Sequence, residues 1–437
     1  MNGTGKLSAR AAEAVKSAAI AVLAVSALFL GWSVVQFDDT GERTPLLGYF
    51  AEALRGGRPA AGPGETSGGY AEGERPLCII ITNEHGERFG AKYDAAQLEL
   101  VYARTSSVFG EAFGSAAGLG ETNEAEWRAA LDMPGIYYAY PAGVSVKALD
   151  RWFGADMSPG GGTDGMKVRR LCVVFGAEGD RLLLQDAETG RFFGADAASL
   201  GEESQVVGLF GSNGVRFAFE TAEGGSGDPY AVLMPDTAHP VIAASNPVAD
   251  SGNLGGVLSG LGVSNQLQSS YPEADGTMVY VSNTFTFSLD PNGAAVYRRT
   301  GAAAPGTASG AAVTEEAAVA AARAAVDNTL GRTSGDAEIF FAGVTQEEQG
   351  AYTVSFEYSA AGGRIYLPGD ESAASVTVVS GEVTDMTLNF RQYSITGETV
   401  TLMPESLAFA AAGGEFALCY FDDGGDAVAP EWAEPEL

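Results

Sequence analysis

Twenty-one consecutive residues without a charge, Ser17–Phe37 (SAAIAVLAVSALFLGWSVVQF), constrain this chain more than any other feature. As a helix rising about 1.5 Å per residue, the stretch is roughly 31 Å long, the thickness of a bilayer's hydrocarbon core. Lys6, Arg10 and Lys16 precede it with only Glu13 opposed, and Asp38 and Asp39 follow. The positive-inside rule therefore sets residues 1–16 in the cytoplasm and everything beyond Phe37 outside the cell membrane. A cleaved signal peptide ending near Val25–Ser26–Ala27 is the competing reading. Against it, Leu28, Phe29, Leu30, Val34 and Val35 carry the apolar run past that triplet, and Trp32 suits an interfacial anchor. On a helix wheel Ile20, Ala24, Ala27 and Gly31 share one face, and Ala27 with Gly31 is a small-xxx-small pair that lets two membrane helices approach closely. This face is the candidate partner contact, although an Ala-rich composition also produces such pairs by chance.

The rest of the chain has the makings of a folded body. Of 437 residues, 46% are hydrophobic and 19% charged, too apolar for a disordered chain and long enough for several cores. Three of the 25 bases and one of the 56 acids precede residue 38, leaving 22 and 55 outside and a formal charge of −33 there. Such a body repels phosphate backbones, so nucleic acid is excluded as a partner. Cys78, Cys172 and Cys419 are odd in number and far apart, and read as small buried hydrophobes rather than a disulfide framework or metal motif.

The pattern along the body divides it. Residues 38–75 read as a stalk, Gly- and Pro-rich from Arg55 to Glu74. A first α+β domain spans 76–210: strands at Leu77–Thr82, Ile136–Tyr140, Leu171–Phe175 and Leu182–Gln185, and a helix capped by Asp94 that runs through Phe113 to a stop at Gly114. A middle β-rich domain spans 211–300, its clearest piece a hairpin of Phe285–Leu289 and Ala294–Arg298 closed by Asp290–Gly293. Residues 301–310 (GAAAPGTASG) read as a linker. The C-terminal domain, 311–437, opens with a helix capped by Thr314 and continues as antiparallel strands, in which Tyr352, Val354, Phe356 and Tyr358 alternate with polar residues. Leu402–Phe409 reads as a short helix and Phe416–Phe421 as a strand. The fold class expected is α+β: one N-terminal membrane helix, then a multi-domain extracytoplasmic region of antiparallel sheets with packed helices.

No catalytic motif stands out. His85 and His239 are the only histidines, too few for a His-rich metal site. The glycines of Gly160–Gly165 match GxGxxG but follow Ser158–Pro159 and run into a strand, the wrong context for a dinucleotide. Asp422, Asp423 and Asp426 bracket two glycines but miss the EF-hand spacing and read as a solvated turn. Trp152 and Phe153 read as core or interface aromatics. No catalytic, cofactor or metal residue is expected.

Several segments carry a resemblance. Phe109–Ala116 (FGEAFGSA), Glu124–Leu131 (EAEWRAAL), Gly135–Tyr140 (GIYYAY) and Val144–Gly154 (VSVKALDRWFG), with Tyr271–Asn283 and the hairpin after it, resemble the YycH/YycI regulators of WalK-type sensor histidine kinases in Gram-positive bacteria. The order continues through Gly363–Leu367 (GRIYL), Ser375–Tyr393, Leu418–Phe421 and Pro430–Trp432. The C-terminal helix-plus-sheet portion also resembles PepSY domains. The resemblance implies regulation and no cofactor: a single-pass protein whose helix lies beside the kinase's membrane helices and whose body holds a second YycH/YycI-type regulator or senses an envelope ligand, in a two-component system controlling cell-envelope metabolism. Two other functions fit the pattern: a PepSY-like surface binding module or protease inhibitor, and an envelope hydrolase using paired carboxylates.

Overall fold

The structure is a computed structural model and describes residues 74–437 except 156–164, 178, 202, 222–226, 250, 262–268, 301–313, 349, 413–415 and 435–437. The expected cytoplasmic segment, the membrane helix with Ile20, Ala24, Ala27 and Gly31, the stalk up to residue 73, and the linker 301–310 lie outside the described residues. Among those described, no helix is long and apolar enough to cross a membrane.

The first lobe is built from β1 (Cys78–Thr82), β2 (Arg88–Ala91), α1 (Ala95–Ser115), β3 (Ala117–Thr122), α2 (Glu124–Leu131), β4 (Gly135–Ser145), α3 (Val146–Trp152), β5 (Lys167–Val174), β6 (Asp180–Asp186) and β7 (Phe192–Ala197). Its antiparallel sheet has the order β2-β1-β4-β5-β6-β7-β3. β1 is buried at every position because both faces of the sheet are covered. Ile79 and Ile81 meet the α1 face with Val101, Phe109 and Phe113, while Cys78 and Ile80 meet Trp127 and Leu131 of α2. Asp94 caps α1, its side chain accepting from the Gln97 amide at 3.0 Å. The helix continues one residue beyond the expected stop at Gly114.

The chain then forms β8 (Arg216–Phe217), β9 (Val232–Leu233), β10 (Ala238–Ser245), α4 (Ser251–Gly260), β11 (Ser269–Pro272), β12 (Met278–Val281), β13 (Phe285–Leu289) and β14 (Ala294–Arg299). It ends with α5 (Glu315–Asp327), β15 (Glu338–Glu348), β16 (Ala351–Ala360), β17 (Gly363–Tyr366), β18 (Ala374–Val379), β19 (Glu382–Asn389), β20 (Gln392–Thr401), α6 (Glu405–Ala411), β21 (Ala417–Phe421), β22 (Ala427–Val428) and β23 (Pro430–Ala433). The strands assigned from sequence to a middle and a C-terminal domain share one sheet. It runs β11-β12-β13-β14-β19-β18-β16-β17-β21-β23, with β15 along the other side of β16. The junction is the pairing of β14 with β19, Ala294 opposite Asn389. A small third sheet, β20-β10-β22, joins the same two stretches again, and all described residues belong to one compact unit.

Thr314 caps α5, which lays Ala318, Val319, Ala322 and Val326 on the sheet against the buried stripe Tyr352, Val354, Phe356 and Tyr358 of β16. The fold is α+β, with antiparallel sheets and few helices.

The acidic turn after β21 is not solvated throughout. Asp422 is buried; it takes both Nε and Nη2 of Arg391 at 2.7 and 2.8 Å, and the Tyr393 hydroxyl at 2.8 Å. Its partners lie some thirty positions earlier in the chain, so local spacing could not reveal them. Asp422→Ala takes the carboxylate from a half-buried guanidinium and a buried hydroxyl. It is expected to cost about 3–5 kcal/mol, read as a lowered urea midpoint, with Asp423→Ala, whose side chain caps only the local turn, near neutral.

Candidate functional site

The first sheet meets the outer face of the second in a wedge of about 610 Å³. One wall comes from β1, β4, β5 and the 228–232 segment, and the floor from β15, β16, β17 and β21. Lys92, Arg169, Arg170 and Arg364 line it against only Asp228 and Glu357. In a chain where acids outnumber bases 56 to 25, this is a local reversal.

Lys92, Arg170 and Arg364 are each oriented by an acid and lie over a ring. Arg364 and Tyr366, two apart on β17, project to the same side of the sheet. Glu357 grips the Arg364 guanidinium in bidentate fashion, and the guanidinium carbon lies 4.5 Å from the Tyr366 ring centroid. Tyr366 in turn stacks on Phe421 at 5.0 Å. Across the wedge Arg170 pairs with Asp228, donates to Gln185 Oε1 at 2.7 Å and sits 5.9 Å from the Tyr230 centroid. The Tyr230 hydroxyl donates to Glu124 at 2.9 Å, and burial pushes its pKa up to about 12.

The corner of the wedge is a tight joint between the lobes. Gly362 (φ +70°), in the turn between β16 and β17, presses on the Lys92–Tyr93 backbone; a Cβ there would stand 2.3 Å from the Lys92 carbonyl oxygen. That approach and that φ both require glycine. Beside it Glu405, at the start of α6 and only 2% exposed, accepts from Lys92 Nζ at 2.6 Å, the Tyr93 hydroxyl at 2.7 Å and the Met234 amide at 2.7 Å. Burial and the neighbouring Glu405 carboxylate together raise the Tyr93 hydroxyl pKa well above its ordinary value.

His239 sits under the same corner, edge-on to Tyr93 at 5.0 Å and to Trp432 at 5.4 Å. It is 2% exposed, and its Nε2 has no hydrogen-bond partner among the described residues. Burial lowers its pKa, opposed by Glu405 and Asp236. His85, by contrast, lies in an exposed turn.

The remaining residues singled out from sequence fall elsewhere. Trp152 stands edge-on to Phe341 of β15, joining the lobes, and Phe153 stacks on Phe109 in the core. The three cysteines are buried and unpaired, and burial raises Cys78 to about 12 and Cys419 to about 11, so neither is a thiolate nucleophile near neutrality. A separate cleft of about 680 Å³ carries Asp290, Glu371, Asp423 and Asp426. No group of acids, histidines and cysteines among the described residues is arranged to hold a metal ion. The wedge as a site is not legible in the sequence: its lining comes from ten separate segments, and those with a sequence signature, such as Leu77–Thr82, Ile136–Tyr140 and Phe416–Phe421, read only as strands.

No protein-family model and no curated protein sequence matches the chain. Among solved structures, the crystal structure of YycH from Bacillus subtilis is similar, with a TM-score of 0.47 and 10% identity, over 84% of this chain and 94% of that one.

With the imidazole pKa below its ordinary 6.5, the unfolded chain takes the proton first as pH falls. The stability due to the neutral buried ring is therefore complete above about pH 6.5 and declines below it. The melting temperature of the wild-type chain is expected to drop between about pH 7.5 and 5.5 by more than that of His239→Gln. Equal drops in thermal scans of the two proteins contradict this assignment.

Proposed function

We propose that the chain is a membrane-anchored, extracytoplasmic regulator of a sensor histidine kinase in a two-component system, and that it regulates by contact rather than by catalysis. Its N-terminal helix meets the kinase's membrane region through Ile20, Ala24, Ala27 and Gly31. Its body engages a second regulator of the same kind.

The wedge is the observation that carries this reading. Its rings and guanidinium groups are held in place by internal ion pairs, and Tyr and Arg at the centre of a concavity are the side chains that contribute most to protein interfaces. Because those groups are pre-oriented, little conformational entropy is lost when a partner segment settles on them. The order of resembling sequence segments supports the kinase system as the setting, and the uncharged stretch supports the anchor. A regulator must bind one state of its target better than another. A coupling of about 1–3 kcal/mol suffices, within reach of a close-packed small-residue helix pair.

Affinity purification from membranes tests this with the full chain and with Ala27→Leu, Gly31→Leu and Arg364→Ala. The two helix variants are expected to recover about tenfold less kinase, the equivalent of about 1.4 kcal/mol. Arg364→Ala is expected to retain the kinase and lose the second regulator. Recovery that is the same in every variant would sink the proposal.

A further inference from the structure

The chain joins its body through two charged residues that bind across both lobes. Glu74, with 10% of its side chain exposed, holds the Arg323 guanidinium of α5 through both carboxylate oxygens and accepts from the Phe341 amide of β15 at 3.3 Å. Arg323 donates to the Ile339 carbonyl at 2.9 Å and lies 4.7 Å from the Phe356 ring centroid. Arg75 continues the tie, pairing with Glu99 of α1 and, at 2.8 Å, with Glu338 of β15. Two residues later the Leu77 amide donates to the Ala139 carbonyl of β4.

Isolated surface ion pairs contribute little, but this one differs in three respects. It is bidentate, it is largely shielded from water, and it satisfies backbone groups of β15 on the side away from β16. β15 also reaches the wedge: Phe340 and Ala342, flanking Phe341 in sequence, line it. One strand is thus gripped by the incoming chain at Glu338 and Phe341 and lines the wedge at Phe340 and Ala342. On the far side of the joint, Trp152 of the first lobe rests against the Phe341 ring.

We propose that Glu74 and Arg75 are a strap that couples the N-terminal segment to the wedge. Engaged, the strap fixes β15 against α1 and α5 and sets the spacing of the wedge walls; released, it frees β15 and changes what the wedge can hold. A displacement of the anchored segment is thereby transmitted to the partner-binding surface. This inference rests on the regulator reading given above and adds to it the route by which membrane and body communicate.

The test uses the full chain in membranes or reconstituted bilayers. Glu74→Gln removes the charge with little change of shape, and Arg299→Gln breaks a partly buried ion pair, with Glu382, elsewhere on the same sheet. Amide hydrogen exchange is read at 339–342 and 363–366, together with kinase output in cells. Glu74→Gln is expected to speed exchange at the Phe341 amide and in β17 by about tenfold or more and to shift kinase output, while Arg299→Gln moves neither. If exchange rises at 339–342 alone and output stays at the wild-type level while Ala27→Leu alters it, the strap is merely local and the inference fails, with the regulator reading intact. If neither Glu74→Gln nor Ala27→Leu alters output, both fall. Should Glu74→Gln not fold, Glu74→Asp, which keeps the charge but shortens the reach, is judged by the same outcomes.

Discussion

Glu405 closes a joint on which the rest of the geometry depends. Two sheets that pack only through apolar side chains can settle at several angles with similar burial, because the hydrophobic effect has no direction. A carboxylate removed from water tolerates no such freedom: unless its lone pairs are filled, its desolvation costs several kcal/mol, roughly speaking. Here they are filled by Lys92 and Tyr93 from the first lobe and by the Met234 amide from the connecting segment. Those donors converge at one inter-lobe angle only. The pair therefore acts mainly by excluding other arrangements, and Gly362 fits the same angle by letting one backbone touch another. The wedge is the space left over once that angle is fixed.

Much of the fold was legible because local periodicity reports burial. The alternation in Tyr352–Tyr358 gave the face that receives α5, and the unbroken run in Leu77–Thr82 fits a strand covered on both sides, as β1 is. The hairpin of β13 and β14 followed from Asp290–Pro291–Asn292–Gly293, where Asp290 takes three turn amides through its side chain and backbone carbonyl. The caps at Asp94 and Thr314 were equally local. β20 had no such signature, since among its ten residues Tyr393 alone is buried. Nor could sequence show that β14 pairs with β19, a junction that depends on two surfaces meeting after some ninety intervening residues. The expected domain divisions followed composition; the sheet followed exposed strand edges seeking partners.

The candidate site was far less legible, for a related reason. Charged residues advertise themselves in sequence only by number and spacing, and against 56 acids a handful of bases reads as background. What distinguishes Arg170, Arg364 and Lys92 is where folding places them: lining one wedge, Arg170 and Lys92 held by acids distant in the chain and Arg364 by Glu357 on the neighbouring strand. The same holds for Asp422, which looks like part of a solvated turn until Arg391 closes on it.

The charge asymmetry of the body gives these internal pairs a further consequence. With a strongly negative exterior, mutual repulsion among acids disfavours compaction, and salt screens it over about 8 Å at physiological ionic strength. Bases spread evenly over such a surface would relieve the repulsion everywhere a little. Instead Arg75, Arg323, Lys92, Arg170 and Arg364 are spent at the seams between lobes, pairing with Glu74, Glu99, Glu338, Glu405, Asp228 and Glu357. The repulsive exterior holds unrelated acidic surfaces away, while the cations hold the lobes in register. A partner settling in the wedge, as proposed, would meet a concavity in which the lining bases outnumber the acids.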